Sequence, residues 1–182
     1  MTKKIIITGG LGYIGTELCK IYSGVSWHHK ITVIDNRFIS ERVNQIRNWN
    51  MDFIHGDILD KELVNKYFRD ADIVHHLAGI TAVPRTKSES SLENDQKIKT
   101  VGEKGTQNIL DVISDKCKII FPSTHVVYEG IDKVKNDIKE NEETKPVLSY
   151  SSSKAVNEKQ LKNSGKNYVI LRLGSVYGYS TD

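Results

Sequence analysis

Long apolar runs, a strong excess of either charge and clustered cysteines are all missing from this sequence, and each absence removes a class of function. The longest apolar stretches are strand-sized, well short of the roughly 20 residues a membrane-spanning helix needs, so no membrane association is expected. Twenty-six basic residues stand against 23 acidic ones, a net charge of +3. The lysines are scattered, so no nucleic-acid surface is implied, while anionic substrates would be tolerated. Cys19 and Cys117 are the two cysteines. Each lies inside an apolar element without metal-ligand spacing, and both read as buried free thiols in a reducing compartment. The start runs through Lys3 and Lys4 directly into a strand, which leaves no room for a signal peptide. A cytoplasmic location is the expectation. Internal repeats and low-complexity tracts are also lacking. What is present is 182 residues, 38% hydrophobic and 27% charged, enough for one domain with a proper core.

Strand and helix patterns alternate along the chain. Lys4–Thr8 is a strand whose Ile5-Ile6-Ile7 centre is apolar at every position, as in a parallel strand covered on both faces. Residues 9–12 form a glycine turn. Tyr13 to about Ser23 reads as a helix with Ile14, Leu18 and Ile21 on one face, closed by Gly24. Further strands are expected at Ile31–Ile34, Met51–His55, Ile73–Leu77, Lys118–Phe121 and Tyr168–Leu173. Further helices are expected from the Asp60 cap to about Arg69, around Ile109–Ile113, and from Ser149 past Leu161. Phe38–Asn50 shows a weak helical pattern. Thr81–Glu103 reads as a long polar segment and Lys133–Lys145 as a charged surface loop. This alternation implies an α/β fold: a doubly wound parallel sheet, helices on both faces, and a ligand crevice at the carboxyl ends of the strands.

Candidate chemistry lies at those strand ends. Gly9, Gly10, Gly12 and Gly15 follow the first strand, in the arrangement that lets backbone N–H groups approach a pyrophosphate at a helix N-terminus. The glycines satisfy two spacings, Gly10-x-Gly12-x-x-Gly15 and Gly9-x-x-Gly12-x-x-Gly15. Asp35, at the end of the second strand, is placed to accept from a ribose diol and favours NAD over NADP, with Arg37 close enough to complicate that preference. Asp57 follows the third strand and suits an adenine amine. Ser123 and Thr124, ending the fifth strand, are expected to face the ligand. Tyr150 and Lys154 are spaced i, i+4 on one helix face. A nearby ammonium favours the phenolate, so a lowered Tyr150 pKa and a general-base role are expected. The pairs His28-His29 and His75-His76 carry no metal spacing and read as structural.

On these residues the chain resembles the extended short-chain dehydrogenase/reductase superfamily, and most of all the NAD-dependent nucleotide-sugar epimerases and dehydratases. The matching stretches are Thr8–Gly15, Asp35-Asn36, Gly56-Asp57-Ile58, His76–Gly79, Ser123-Thr124 with Val127-Tyr128, Tyr150-x-x-x-Lys154, and Arg172-Leu173 with Val176-Tyr177-Gly178. The resemblance implies a Rossmann-type fold and NAD as cofactor. Gly9, Gly12, Tyr13, Ile14 and Gly15 would hold the pyrophosphate, Asp35 and Asn36 the adenosine ribose, Asp57 and Ile58 the adenine. Leu77, Ala78 and Gly79 would line the trough. Thr124, Tyr150 and Lys154 would be the catalytic group, with Lys154 also on the nicotinamide ribose and Ser123, Thr124 and Tyr150 against the substrate. The implied reaction is epimerisation of a nucleotide sugar, most readily a UDP-sugar, at C4 through a 4-keto intermediate. The family's dehydratases carry Asp-Glu after the catalytic Thr; His125-Val126 stand there, which disfavours elimination. The alternatives are another nucleotide-sugar reductase, dehydratase or decarboxylase, or an NAD-binding protein without turnover. Two departures are Gly102, where the family has Asn, and Glu129, where it has Gly. Family members also continue into a smaller substrate domain, so residues 1–182 are expected to be mainly the NAD-binding domain. A homodimer through a four-helix bundle is implied too, with Ile109, Ile113, Val156 and Leu161 as contacts unless they face their own sheet.

Overall fold

The computed structural model describes residues 1–81, 89, 91–132 and 135–178. Six strands form one parallel sheet: β1 (Lys4–Thr8), β2 (Lys30–Asp35), β3 (Asp52–His55), β4 (Ile73–His76), β5 (Lys118–Thr124) and β6 (Asn167–Leu173). Their spatial order is β3-β2-β1-β4-β5-β6. Chain order reverses between β1 and β4, so the crevice opens at the carboxyl ends of those two strands. The doubly wound Rossmann-type architecture expected from the sequence is the one observed.

The unbroken apolar run of β1 serves two cores at once, because successive side chains point to opposite faces. Ile6 joins a cluster with Val64, Phe68, Ile109, Ile119 and Leu161. Ile5 and Ile7 join the opposite cluster with Cys19, Val33, Val43 and Ile46. The first core is covered by α3 (Lys61–Phe68), α5 (Gly105–Val112) and α6 (Ser149–Asn163), the second by α1 (Tyr13–Tyr22) and α2 (Ser40–Asn48). Ile109, Ile113 and Leu161 are therefore core residues of their own sheet, and of the four expected dimer contacts Val156 alone is exposed.

Several local expectations are corrected. α1 buries Gly15 and Cys19, while Ile14 and Ile21 are exposed. It ends at Tyr22 with the Ser23 N–H bonded to the Cys19 and Lys20 carbonyls, so Gly24 is not its terminator. A left-handed glycine stop occurs instead after α6, at Gly165 (φ +69°). The weak pattern at 38–50 is a full helix, hidden because Arg42 is one of its three buried positions. The polar segment before α5 contains α4 (Leu92–Lys99), capped by the Ser91 side chain, and a π-helical turn at Thr100–Lys104; residues 82–88 and 90 lie outside the described residues. The stretch 133–145 is irregular and mostly exposed where described, from residue 135. β5 runs through Thr124, so Ser123 and Thr124 end the strand as expected, with β6 paired to it as far as Leu173. Asp60 caps α3 as expected, accepting from Glu62 and Leu63. No helix among the described residues is long and apolar enough to cross a membrane.

Candidate active site

The glycine turn is forced by close approach. Gly9 sits at φ +66°, and a Cβ there would lie 2.8 Å from the Ala78 nitrogen, so a side chain is excluded by strain and by space. A Cβ on Gly15 would lie 2.3 Å from the Gly9 carbonyl oxygen, which lets α1 start hard against the turn. Gly12 donates its N–H to that carbonyl at 3.1 Å and stands at the N-cap of α1. The N–H groups of Tyr13, Ile14 and Gly15 open the helix and have no intrahelical partner.

These residues line a cavity of about 590 Å³ at the strands' carboxyl ends. The site residues expected from the sequence line it, apart from Gly10, which packs on Val33: Gly9, Gly12, Tyr13, Ile14 and Gly15; Asp35 and Asn36; Asp57 and Ile58; Leu77, Ala78 and Gly79; Ser123 and Thr124; Tyr150 and Lys154. At one end the buried Asp35 carboxylate accepts from the Leu11 N–H at 2.9 Å through Oδ2, and from the Arg37 N–H at 2.9 Å through Oδ1. Asn36 donates to Asp57 Oδ2 at 3.2 Å, and the Leu59 N–H donates to Oδ1 at 2.9 Å. Ile58 is mostly packed into the core.

At the other end Lys154 donates from Nζ to the Pro122 carbonyl at 2.8 Å. That nitrogen lies 4.4 Å from the centre of the Phe121 ring and 5.8 Å from that of Tyr150. Burial pulls the Lys154 ammonium down to about 8. The lowering expected for Tyr150 is not found: burial raises its phenol above the ordinary value of 10.0. The ammonium stands over the Phe121 ring and on a carbonyl, and desolvation of the phenolate wins. Ser123 lines the cavity as expected, and its hydroxyl donates to Glu158 Oε1 at 2.6 Å, which leaves its lone pairs as acceptors. Thr124 accepts from the Val126 N–H at 3.3 Å, which leaves its own O–H as a donor. Cavity, phenol, ammonium and threonine hydroxyl together can exchange a proton with a bound hydroxyl group.

Four further groups support the site; His76 is structural, as expected, while the contacts of the other three were not foreseen. His76 lies between the Thr8 and Thr106 hydroxyls, 3.0 Å from each, and Thr8 Oγ1 also accepts the Ala78 N–H at 3.0 Å. Burial, with a smaller contribution from the Lys154 charge, pushes His76 down to about 3, so it is neutral and structural. Asn108 donates to the Ile58 carbonyl at 3.1 Å and fixes the turn after β3. Glu158 pairs bidentately with Arg172, at 2.9 and 2.6 Å, tying α6 to β6. Glu129 accepts from the Val147 and Leu148 N–H groups, both at 2.7 Å, and from the Ser151 hydroxyl, at the start of the helix bearing Tyr150 and Lys154. The signal for Glu158 was its i+4 spacing from Lys154; the others depend on contacts remote in sequence. Among the described residues no His/Cys/Asp/Glu group could hold a metal ion.

Comparison with known proteins gives one consistent likeness. The NAD dependent epimerase/dehydratase family matches residues 5–182. A dTDP-D-glucose 4,6-dehydratase of Dictyostelium discoideum is 30% identical over 97% of this chain and 44% of its own length. A putative UDP-glucose 4-epimerase of Methanocaldococcus jannaschii is 31% identical over 98% of this chain and 57% of its own. The solved UDP-glucuronic acid 4-epimerase of Bacillus cereus, in complex with NAD, superposes with a TM-score of 0.78 at 28% identity, over 96% of this chain and 57% of that one. The chain thus spans about half the length of these relatives.

Proposed function

Because this chain belongs to the NAD-dependent epimerase/dehydratase family, we propose that residues 1–182 are an NAD-binding unit that carries the acid–base group for C4 epimerisation of a nucleotide sugar. The observation behind this is the convergence of the glycine turn, Asp35, Thr124, Tyr150 and Lys154 on one cavity. The residues present fit a dinucleotide. Side chains at Gly9 and Gly15 would fill the turn, α1 offers unpaired first-turn N–H groups, and Asp35 lies at the far end beside Asn36.

NAD, when bound, would accept a hydride from the sugar carbon and return it. The chain's own residues would handle the proton. Tyr150, as the phenolate, would take it from the C4 hydroxyl and, now the phenol, give it back to the 4-keto oxygen after the sugar has turned. Thr124 would donate a hydrogen bond to the same oxygen. Lys154, anchored on Pro122, would keep a positive charge close to the phenol. His125 and Val126 follow Thr124, and His125 is turned to the Leu173 carbonyl at 3.2 Å; neither supplies the carboxylate an elimination needs. The test is calorimetric titration with NAD, followed by incubation with UDP-glucose and UDP-GlcNAc and separation of the products. Expected are NAD binding, sugar epimers, and their loss in Tyr150→Phe with NAD binding kept. No binding at millimolar NAD overturns the reading.

A cytoplasmic location belongs to the same proposal and agrees with two free, buried thiols that burial pushes up to about 12 for Cys19 and about 11 for Cys117. Should two copies pair, α5 and α6 are the surface we assign, with Val156 as its exposed apolar residue.

A further inference from the structure

Asp35 is the residue that favours NAD over its 2′-phosphorylated form, because a carboxylate repels the extra phosphate. In this fold that carboxylate is not alone. Besides its backbone bond, Arg37 brings Nε to 3.5 Å from Asp35 Oδ1, an ion pair too long for a good hydrogen bond. The Arg37 side chain is 48% exposed, against 4% for Asp35. Its Nη2 stands 3.6 Å from where a Cβ on Gly12 would lie, so the guanidinium spans the gap between ribose end and glycine turn. Asp35 Oδ2 is turned inward to the Leu11 N–H. A second guanidinium, that of the buried Arg42, reaches the Leu11 carbonyl in the same turn. Arg37 is thus the guanidinium paired with that carboxylate, while Arg42 is anchored on the backbone of the turn. Both arginines are engaged, so any new contact of theirs is an exchange of partners.

We propose that Arg37 relaxes the cofactor choice, so that this cavity takes NADP as well as NAD. The proposal rests on the NAD-binding reading. A 2′-phosphate carries close to two negative charges and three strong acceptor oxygens. Arg37 would exchange its long contact with Asp35 for a charge-assisted, fork-shaped contact with the phosphate. Asp35 would keep both backbone N–H partners, which offset its charge.

The experiment is calorimetric titration of the full chain with oxidised NAD and oxidised NADP, at low and high salt, for the wild type, Arg37→Ala and Arg37→Lys. The expected wild-type affinities lie within about tenfold of each other, and in Arg37→Ala the NADP/NAD ratio of dissociation constants rises about tenfold or more. Arg37→Lys falls between, and added salt weakens NADP more than NAD. NADP binding more than about a hundredfold weaker than NAD in the wild type overturns the proposal. So does an unchanged ratio in the variants, since Arg37 would then only brace the glycine turn. If Arg37→Ala does not fold, the wild type and Arg37→Lys decide it. Binding of neither dinucleotide sinks the NAD-binding reading itself, an outcome distinct from both.

Discussion

Glu129 stands where the family resemblance leads one to expect glycine, and its side chain does work that α6 cannot do for itself. That helix starts at Ser149 with Leu148 in the cap position, with no capping side chain and no acid in its first turn. Glu129 supplies both from outside: an acceptor for two N–H groups and a hydroxyl, and a negative charge at the positive end of the helix dipole. Its partial exposure keeps the electrostatic part small. Glu129→Ala should cost about 1–2 kcal/mol, the range for a lost cap. Glu129→Gln, which keeps an oxygen acceptor, should cost less. Urea denaturation at pH 7 measures both, and an alanine variant as stable as the wild type would falsify the capping role. Tyr150 lies in that first turn, so the alanine variant should also blunt any turnover more than it weakens NAD binding.

The π-helical turn at Thr100–Lys104 performs the corresponding task for a whole element. A π turn frees carbonyls from the regular ladder, and here α6 collects them: Asn157 donates to Gly102 and Gln160 to Glu103, each at 3.0 Å. The helix bearing Tyr150 and Lys154 is thereby docked on its neighbour. Gly102 belongs to this fit, since a Cβ there would lie 2.3 Å from Ser153 Oγ, and Ser153 is buried. An Asn, which the family resemblance leads one to expect, has no room without moving Ser153. Gly102→Ala should therefore destabilise by about 1 kcal/mol or more through crowding. In a Ser153→Ala background it should be neutral or stabilising, because alanine is then free to express its helix propensity. A double-mutant cycle by denaturation reads the coupling; additive effects would show that the two positions do not meet.

The same comparison shows what could be read from the sequence and what could not. The strands were legible because all-apolar runs such as Ile5-Ile6-Ile7 have one use, burial on both faces, and the site was legible because the fold gathers residues that end strands. Tyr150 and Lys154 were legible through helical spacing together with their place on the helix before the sixth strand. α2 and α4 were not: one buries an arginine, and the other buries Ile98 alone among charged neighbours. The Ser123–Glu158 bond was not legible, because nothing in the sequence shows that Glu158, on another element, takes that hydroxyl's proton. Tyr150 was expected to be acidic from a neighbouring charge, whereas burial, visible only in three dimensions, dominates.

At the scale of the whole molecule, those buried groups set how stability depends on pH, and the sign differs from group to group. His76, pushed down to about 3, and His75, also lowered by burial, are neutral in the fold and take up protons on unfolding. Stability should therefore fall as pH drops below 6.5, with Glu158 joining below about 4.5, its ordinary value. Burial alone would raise the Glu158 carboxyl, but hydrogen bonds and charge from Arg172, Ser123 and Lys162 hold it lower. Lys154 acts at the alkaline end. Its ammonium is lost near pH 8 in the fold and near 10.5 in the unfolded chain, so the unfolded state binds the extra proton and stability rises through this window, by at most about 1.4 kcal/mol per pH unit. Cys19 and Cys117 oppose this above pH 9.0, their unfolded value, because both thiols keep their protons in the fold. Without ligand, the melting temperature should therefore peak between about pH 8 and 9. Lys154→Met should remove the rise between those values. The slope is the readout, since the variant also strands the Pro122 carbonyl and changes the absolute melting temperature. Over the same interval the wild type should lose affinity for NAD as the ammonium discharges. A wild-type slope equal to that of Lys154→Met would mean that Lys154 titrates at its ordinary value, and that the chain carries no buried charge held in readiness for a ligand.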